Sequence, residues 1–166
     1  AYQGIGHSSA SWCIDGSPSL GEPNNECTVS RARSPVRFNE VKPGPGGFAE
    51  IKNLGQVLED LGGKWLLSGT STFYFPPGSI LIPGEILVVR LGASGTDSFL
   101  ELHTGPTFRD LKAADSLALY AGPISSDSTL IIDFVEWGAT GLAFEEEALQ
   151  AGLWAAGRTV DTAGLV

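Results

Sequence analysis

Residues Phe75–Val89 read FPPGSILIPGEILVV. Two punctuation marks, Pro77-Gly78 and Pro83-Gly84, bracket a short apolar piece and release an uninterrupted run, Ile86-Leu87-Val88-Val89. Proline presets φ at one turn position and glycine supplies conformations that other residues resist, so the pattern reads turn, turn, strand. A short apolar run between such signals suits a strand buried on both faces. Nothing in it carries chemistry, and the stretch is expected to be the spine of a β-sandwich.

Upstream, Val36–Val41 and Phe48–Asn53 alternate apolar and polar residues around the Gly/Pro-rich segment Lys42–Gly47, which predicts two antiparallel strands. Gln56–Leu61 reads as strand or loop, Gly62-Gly63 breaks it, Trp65–Leu67 resumes, and Thr72–Phe75 leads into the central stretch. Downstream, Leu91–Asp97 is rich in glycine and serine, and Phe99–Leu102 reads as a short strand. Ser116–Tyr120 and Leu130–Trp137 are strands joined by a hairpin loop over Gly122–Ser128. Glu145–Ala151 is the only helical segment expected, with good helix formers and acidic residues in the first turn, where the helix dipole favours them. Trp65, Leu87, Val89, Leu119 and Phe134 are expected to be buried.

The 166 residues are 42% hydrophobic and only 17% charged, with 22 glycines and 10 prolines, which favours one all-β core with many turns. The net charge of −9 repels a nucleic-acid backbone or an anionic membrane as main partner. No apolar run approaches the roughly 18 residues of a bilayer-spanning helix. A chain that begins at Ala1 and has no methionine is expected to have lost a secretory signal, which places it outside the cell or on its surface. Ala1–Pro35 is rich in Ser, Gly, Pro and Asn and is too poor in aliphatic residues to form a core, so it reads as an extended arm before a sandwich over residues 36–166. Cys13 and Cys27 are the only cysteines; joined, they close a loop of about 15 residues and contribute roughly 3 kcal/mol, the alternative being two free thiols.

A series of blocks in order carries a resemblance: FNEV at Phe38–Val41, AEIKN at Ala49–Asn53, DLGGKWLLS at Asp60–Ser68, FPPGSILIPGEILVV, DSLALY at Asp115–Tyr120 and IIDFVEWG at Ile131–Gly138. The set resembles the lamin-tail domain of bacterial and archaeal secreted proteins, which implies an immunoglobulin-like β-sandwich. Lys64 departs from it as an extra residue, and Leu91–Ala114 is longer than the usual link. Ala151–Val160 resembles an end segment of bacterial members. Gly16–Asn24 looks like a tail that normally follows such a domain but here precedes it. Either the chain comes from a longer array, or its first segment belongs with a neighbouring domain, or the match is a chance loop.

No catalytic constellation is present in the sequence, and the chain is read as not an enzyme. His7 and His103 have no nucleophile motif around them and are expected to be exposed or structural. No EF-hand pattern occurs, so calcium enters only if carboxylates converge from separate loops, and no other cofactor is expected. The glycines make no phosphate loop. Asn25-Glu26-Cys27 is only the rare cysteine form of a glycosylation sequon. Trp65 and Trp137 fall in strand patterns and read as core, whereas Tyr2, Ile5, Trp12, Ile14, Trp154 and Val160 lie in the terminal segments and are candidate assembly contacts.

The leading expectation is a non-catalytic extracellular structural subunit that joins copies of itself head to tail by strand or arm exchange, giving an oligomer or filament. The alternative is a secreted module that binds a glycan or protein and accompanies a hydrolase or surface assembly, as the resemblance also implies. A small enzyme using a carboxylate-built metal site is the third reading.

Overall fold

A computed structural model describes residues 34–123 and 125–160 of the chain. The arm expected over residues 1–35 therefore falls, up to residue 33, outside the described residues. In chain order the elements are β1 (Val36–Lys42), β2 (Phe48–Asn53), β3 (Glu59–Asp60), β4 (Trp65–Ser68), β5 (Ser71–Tyr74), β6 (Ile80–Leu81), β7 (Ile86–Arg90), β8 (Glu101–His103), β9 (Asp115–Tyr120), β10 (Ile131–Trp137) and α1 (Glu145–Gln150). They form an all-β sandwich. One sheet runs β1-β2-β7-β8, the other β10-β9-β4-β5, and β3 pairs with β6 in a small ribbon.

The expected hairpin over residues 36–53 is β1 and β2, antiparallel with Phe38 opposite Ile51. Gly44 and Gly46 supply the positive φ values, 85° and 68°, that its wide turn needs. β7 lies inside the first sheet with Leu87 opposite Ile51, and β8 joins it in parallel. Leu87 and Val89 meet Leu66, Leu117, Leu119 and Phe75 between the sheets. The outer face of β7 is not buried as expected. Ile86, Val88 and Arg90 are half-buried, and Arg90 pairs there with Glu101 at 3.1 Å.

The strand buried on both faces is β9, all six of whose residues are buried. Its inner side chains, Leu117 and Leu119, join the inter-sheet core, while Ala118 and Tyr120 pack outward against Ala148, Ala151 and Phe144. The segment containing α1 thus covers the second sheet, and what decides double burial is that cover, not the apolarity of the strand. α1 starts after Phe144, whose φ of 71° is unusual for a bulky side chain. That residue offers no side-chain cap, and the Glu145 carboxylate accepts the Gly141 N–H at 2.6 Å nearby.

Leu87, Val89, Leu119 and Phe134 are buried as expected, and Trp137 is core. Trp65 is not: it is half-buried, its ring edge-on to Tyr74 at 5.8 Å. Leu66 takes the inward position on β4, which turns Trp65 to the outer face. The strand expected from Phe99 begins later, at Glu101, and leaves Phe99 92% exposed. Gln56–Leu61 resolves into the two-residue β3, and the helix forms where expected with Ala151 as its cap.

Candidate functional site

The two sides of the sandwich treat their strand edges differently. β1 and β10 lie side by side as the edge strands on one side. Each is bulged: the register slips between Phe38 and Glu40 in β1 and between Ile131 and Asp133 in β10. In β10 the slip puts Asp133 opposite Leu119, an inward-facing residue, directly after the inward Ile132. A bulge re-aims a side chain, and here it sends a carboxylate toward the other sheet. Asp133 Oδ2 accepts the Phe38 N–H at 2.7 Å, and the Phe134 amide also donates to this carboxylate. Burial pushes the Asp133 carboxyl up from its ordinary range, opposed by those two amides and by the Arg37 charge.

Further along the same side, Val160 donates its N–H to the Glu136 carbonyl at 2.9 Å and bridges Trp137 in parallel. Trp154 is half-buried with its ring edge-on to Phe134 at 5.3 Å, and its indole N–H donates to Glu136 Oε1 at 3.2 Å and to the Arg158 carbonyl at 3.1 Å. A groove of about 460 Å³ remains between Val41, Val135, Trp154 and Val160. Glu136 is fully buried, and burial followed by the neighbouring Glu145 raises its pKa. This edge carries its own closures.

The other side is flanked by β5 and β8. β8 is covered by its own preceding loop: Ser98 N–H donates to the Glu101 carbonyl at 2.8 Å and Gly105 N–H to the Ala93 carbonyl at 2.9 Å. His103 has a structural place in that cover, its ring 3.2 Å from Asp97 and its amide bonded to the same carboxylate at 2.8 Å. Among the described residues β5 has no such cover. Ser68 pairs with Ser71 across a two-residue turn that begins at Gly69, φ 56°, so alternation turns the main-chain groups of Thr72 and Tyr74 away from β4. Both residues are exposed, the strand STFY has no charge and no bulge, and nothing among the described residues pairs with its outer edge.

The start of β5 is pinned from the side. Arg109 donates through its main-chain N–H to Ser71 Oγ at 3.0 Å and through its guanidinium to Ser68 Oγ at 2.8 Å and Asp115 Oδ1 at 2.6 Å, with a second bond to Asp115 Oδ2. Asp115 also accepts the Lys112 and Ser116 amides, each at 2.9 Å. Burial would raise its pKa, but the Arg109 bond and the two amides outweigh it and hold the carboxyl below its ordinary range. The end of β5 runs into a mainly apolar groove of about 430 Å³ where Pro76–Ser79 face Asp97, Ser98, Phe99 and Leu102. Ile80 on β6 and Ile82 just after it are exposed, as are Leu54, Val57 and Leu58 on the loop before β3, the strand that pairs with β6. Ser34 Oγ donates to Glu59 at 2.6 Å, and the Leu54 amide donates to the Pro35 carbonyl at 3.1 Å. Ser34 and Pro35 thus lie beside the β2–β3 loop.

Of the residues singled out in the sequence, Tyr2, Ile5, Trp12, Ile14, Cys13 and Cys27 lie outside the described residues. Trp154 and Val160 come together, on the closed side. Thr72, Tyr74, Phe99 and Asp133 were missed. The break of alternation in Ile131-Ile132-Asp133-Phe134 signals the bulge behind Asp133, whereas nothing local marks Phe99 as exposed. Among the described residues no three His, Cys, Asp or Glu side chains are grouped to hold a metal ion, and no helix is long and apolar enough to cross a membrane. Compared with known proteins, the chain matches no family model and no curated protein.

Proposed function

We propose that the chain is a non-catalytic extracellular structural subunit, of the lamin-tail kind its ordered sequence blocks resemble, that joins copies of itself head to tail by strand or arm exchange. The observation that carries this reading is the outer edge of β5, uncharged, without a bulge and unpaired among the described residues, where β1, β8 and β10 are each bulged or covered. Such an edge is a template for another strand, and native proteins normally blunt it. The exposed apolar surface beyond Tyr74 supports the same reading, because clustered exposed apolar side chains mark interaction sites. A head-to-tail contact between unlike surfaces gives a ring where its rotation closes and a filament where it does not. In the alternative, a binding or anchoring module, the same flank would hold a foreign protein or glycan and the isolated chain would stay monomeric.

The test is electron microscopy and light scattering on the full chain beside Thr72→Pro, Thr72→Lys and a chain lacking residues 1–33. Proline at 72 removes the outward N–H without taking a bond from β4, and lysine puts a charge on the edge. Regular assemblies from the full chain, lost in both Thr72 variants while each still melts cooperatively, are the expected result. A full chain that remains monomeric at high concentration would remove the assembly reading.

A further inference from the structure

We propose that the open flank formed by β5 and the adjoining Pro76–Phe99 groove receives residues 1–14 of a second copy as an added strand. This rests on the assembly reading and names its donor. On the acceptor, the outward main-chain groups of Thr72 and Tyr74 give a strand its hydrogen bonds, and Tyr74, 51% exposed, leads directly to the groove that Phe99 borders. Main-chain pairing beside side-chain pockets is the general form of β-strand addition.

The donor follows from charge and backbone chemistry. The chain carries −9 overall, so surfaces with ordinary charge density repel between copies. Residues 1–14, AYQGIGHSSASWCI, contain no Asp, Glu, Lys or Arg, and the β5 edge contains none either. Their contact buries no unpaired charge. The same fourteen residues contain no proline, so each of their peptide N–H groups can join a ladder, whereas Pro18 and Pro23 mark the following stretch as connector. Trp12 and Ile14 stand two residues apart, on one face of an extended strand, with Tyr2 and Ile5 upstream. The segment before Ser34 thus supplies apolar anchors without charge, and the flank supplies an uncharged edge ending in a mainly apolar groove whose one carboxylate, Asp97, is already bonded to His103.

The experiment replaces Trp12 with p-benzoylphenylalanine in the full chain, mixes equal amounts of ¹⁴N and ¹⁵N protein, irradiates, and maps the products by mass spectrometry. Mixed-isotope cross-links from position 12 to residues 72–79 or 99, reduced at least several-fold by Thr72→Lys, are expected. Same-isotope links alone, within one chain, would overturn the second-copy assignment. Mixed-isotope links to any other surface would overturn the acceptor while leaving assembly standing. Absence of particles larger than a monomer by light scattering would instead defeat the assembly reading on which the proposal rests.

Discussion

β5 and β10 are the two edges of one sheet, yet among the described residues only one of them is defended. β10 is bulged, sends Asp133 across to bond the Phe38 amide, and has Val160 laid along its end. β5 is held at its start by Arg109 and Asp115 and then left bare at Thr72 and Tyr74. Both need their backbone polar groups satisfied, and at β10 the Asp133 carboxylate and the Val160 main chain contribute to this, whereas no described residue does so at the outer edge of β5. The difference teaches that edge exposure here is local: among the described residues the same sheet contains a seam built against strand addition and a flank without any such device.

The largest expected effect is at the support of the open edge. Asp115→Asn leaves the Arg109 guanidinium without its carboxylate and weakens the bonds from the Lys112 and Ser116 amides. Breaking a buried pair costs about 3–5 kcal/mol, and because Arg109 reaches solvent the loss is expected near 3 kcal/mol by urea denaturation. A loss below about 1 kcal/mol would mean that the β4–β5 hairpin does not depend on this anchor. Next is the closed edge. Asp133→Ala orphans the Phe38 N–H and is expected to cost about 1–2 kcal/mol, with faster amide exchange at Phe38. Unchanged exchange there would show that the seam is not held shut by this carboxylate, and the contrast between the two edges would shrink.

Much of the scaffold was legible because its signals are local. The alternation of Val36–Val41 and Phe48–Asn53 around a Gly/Pro turn, the strands at 115–120 and 131–137, and the acidic start of α1 each contain their own evidence. Burial was less legible. Ile86–Val89 and Ser116–Tyr120 are similarly apolar, and the chain about 30 residues beyond β9 decides which is covered twice, since Ala148, Ala151 and Phe144 pack on Tyr120 and Ala118. Trp65 was misplaced because Leu66 takes the inward position on β4 and turns it to the outer face, where it is only half-buried. The candidate flank was hardest to read, because an edge is defined by the strand that is missing beside it. The sequence STFY looks the same in the middle of a sheet as at its border.

The smallest expected effect separates the two edges by the sign of their pH dependence. Glu136 and Asp133, on the closed side, have folded pKa values raised chiefly by burial, with Glu145 adding to the rise at Glu136. A raised folded pKa favours the fold while the group is protonated, so that contribution is present below the unfolded value and is lost as pH rises through the folded one. Asp115, under the open edge, has a lowered pKa, so its contribution is present above the unfolded value and is lost as pH falls through the folded one. Glu136→Gln keeps an acceptor for the Trp154 indole and removes the titration. It is expected to match the wild-type chain below pH 4.5, the ordinary value of the group, and to exceed it in stability at pH 7. Denaturation curves from pH 4 to 8 that stay parallel for the two proteins would show that the buried carboxyl beside Trp154 loses no stability on ionising, and the closed edge would then owe nothing to its protonation.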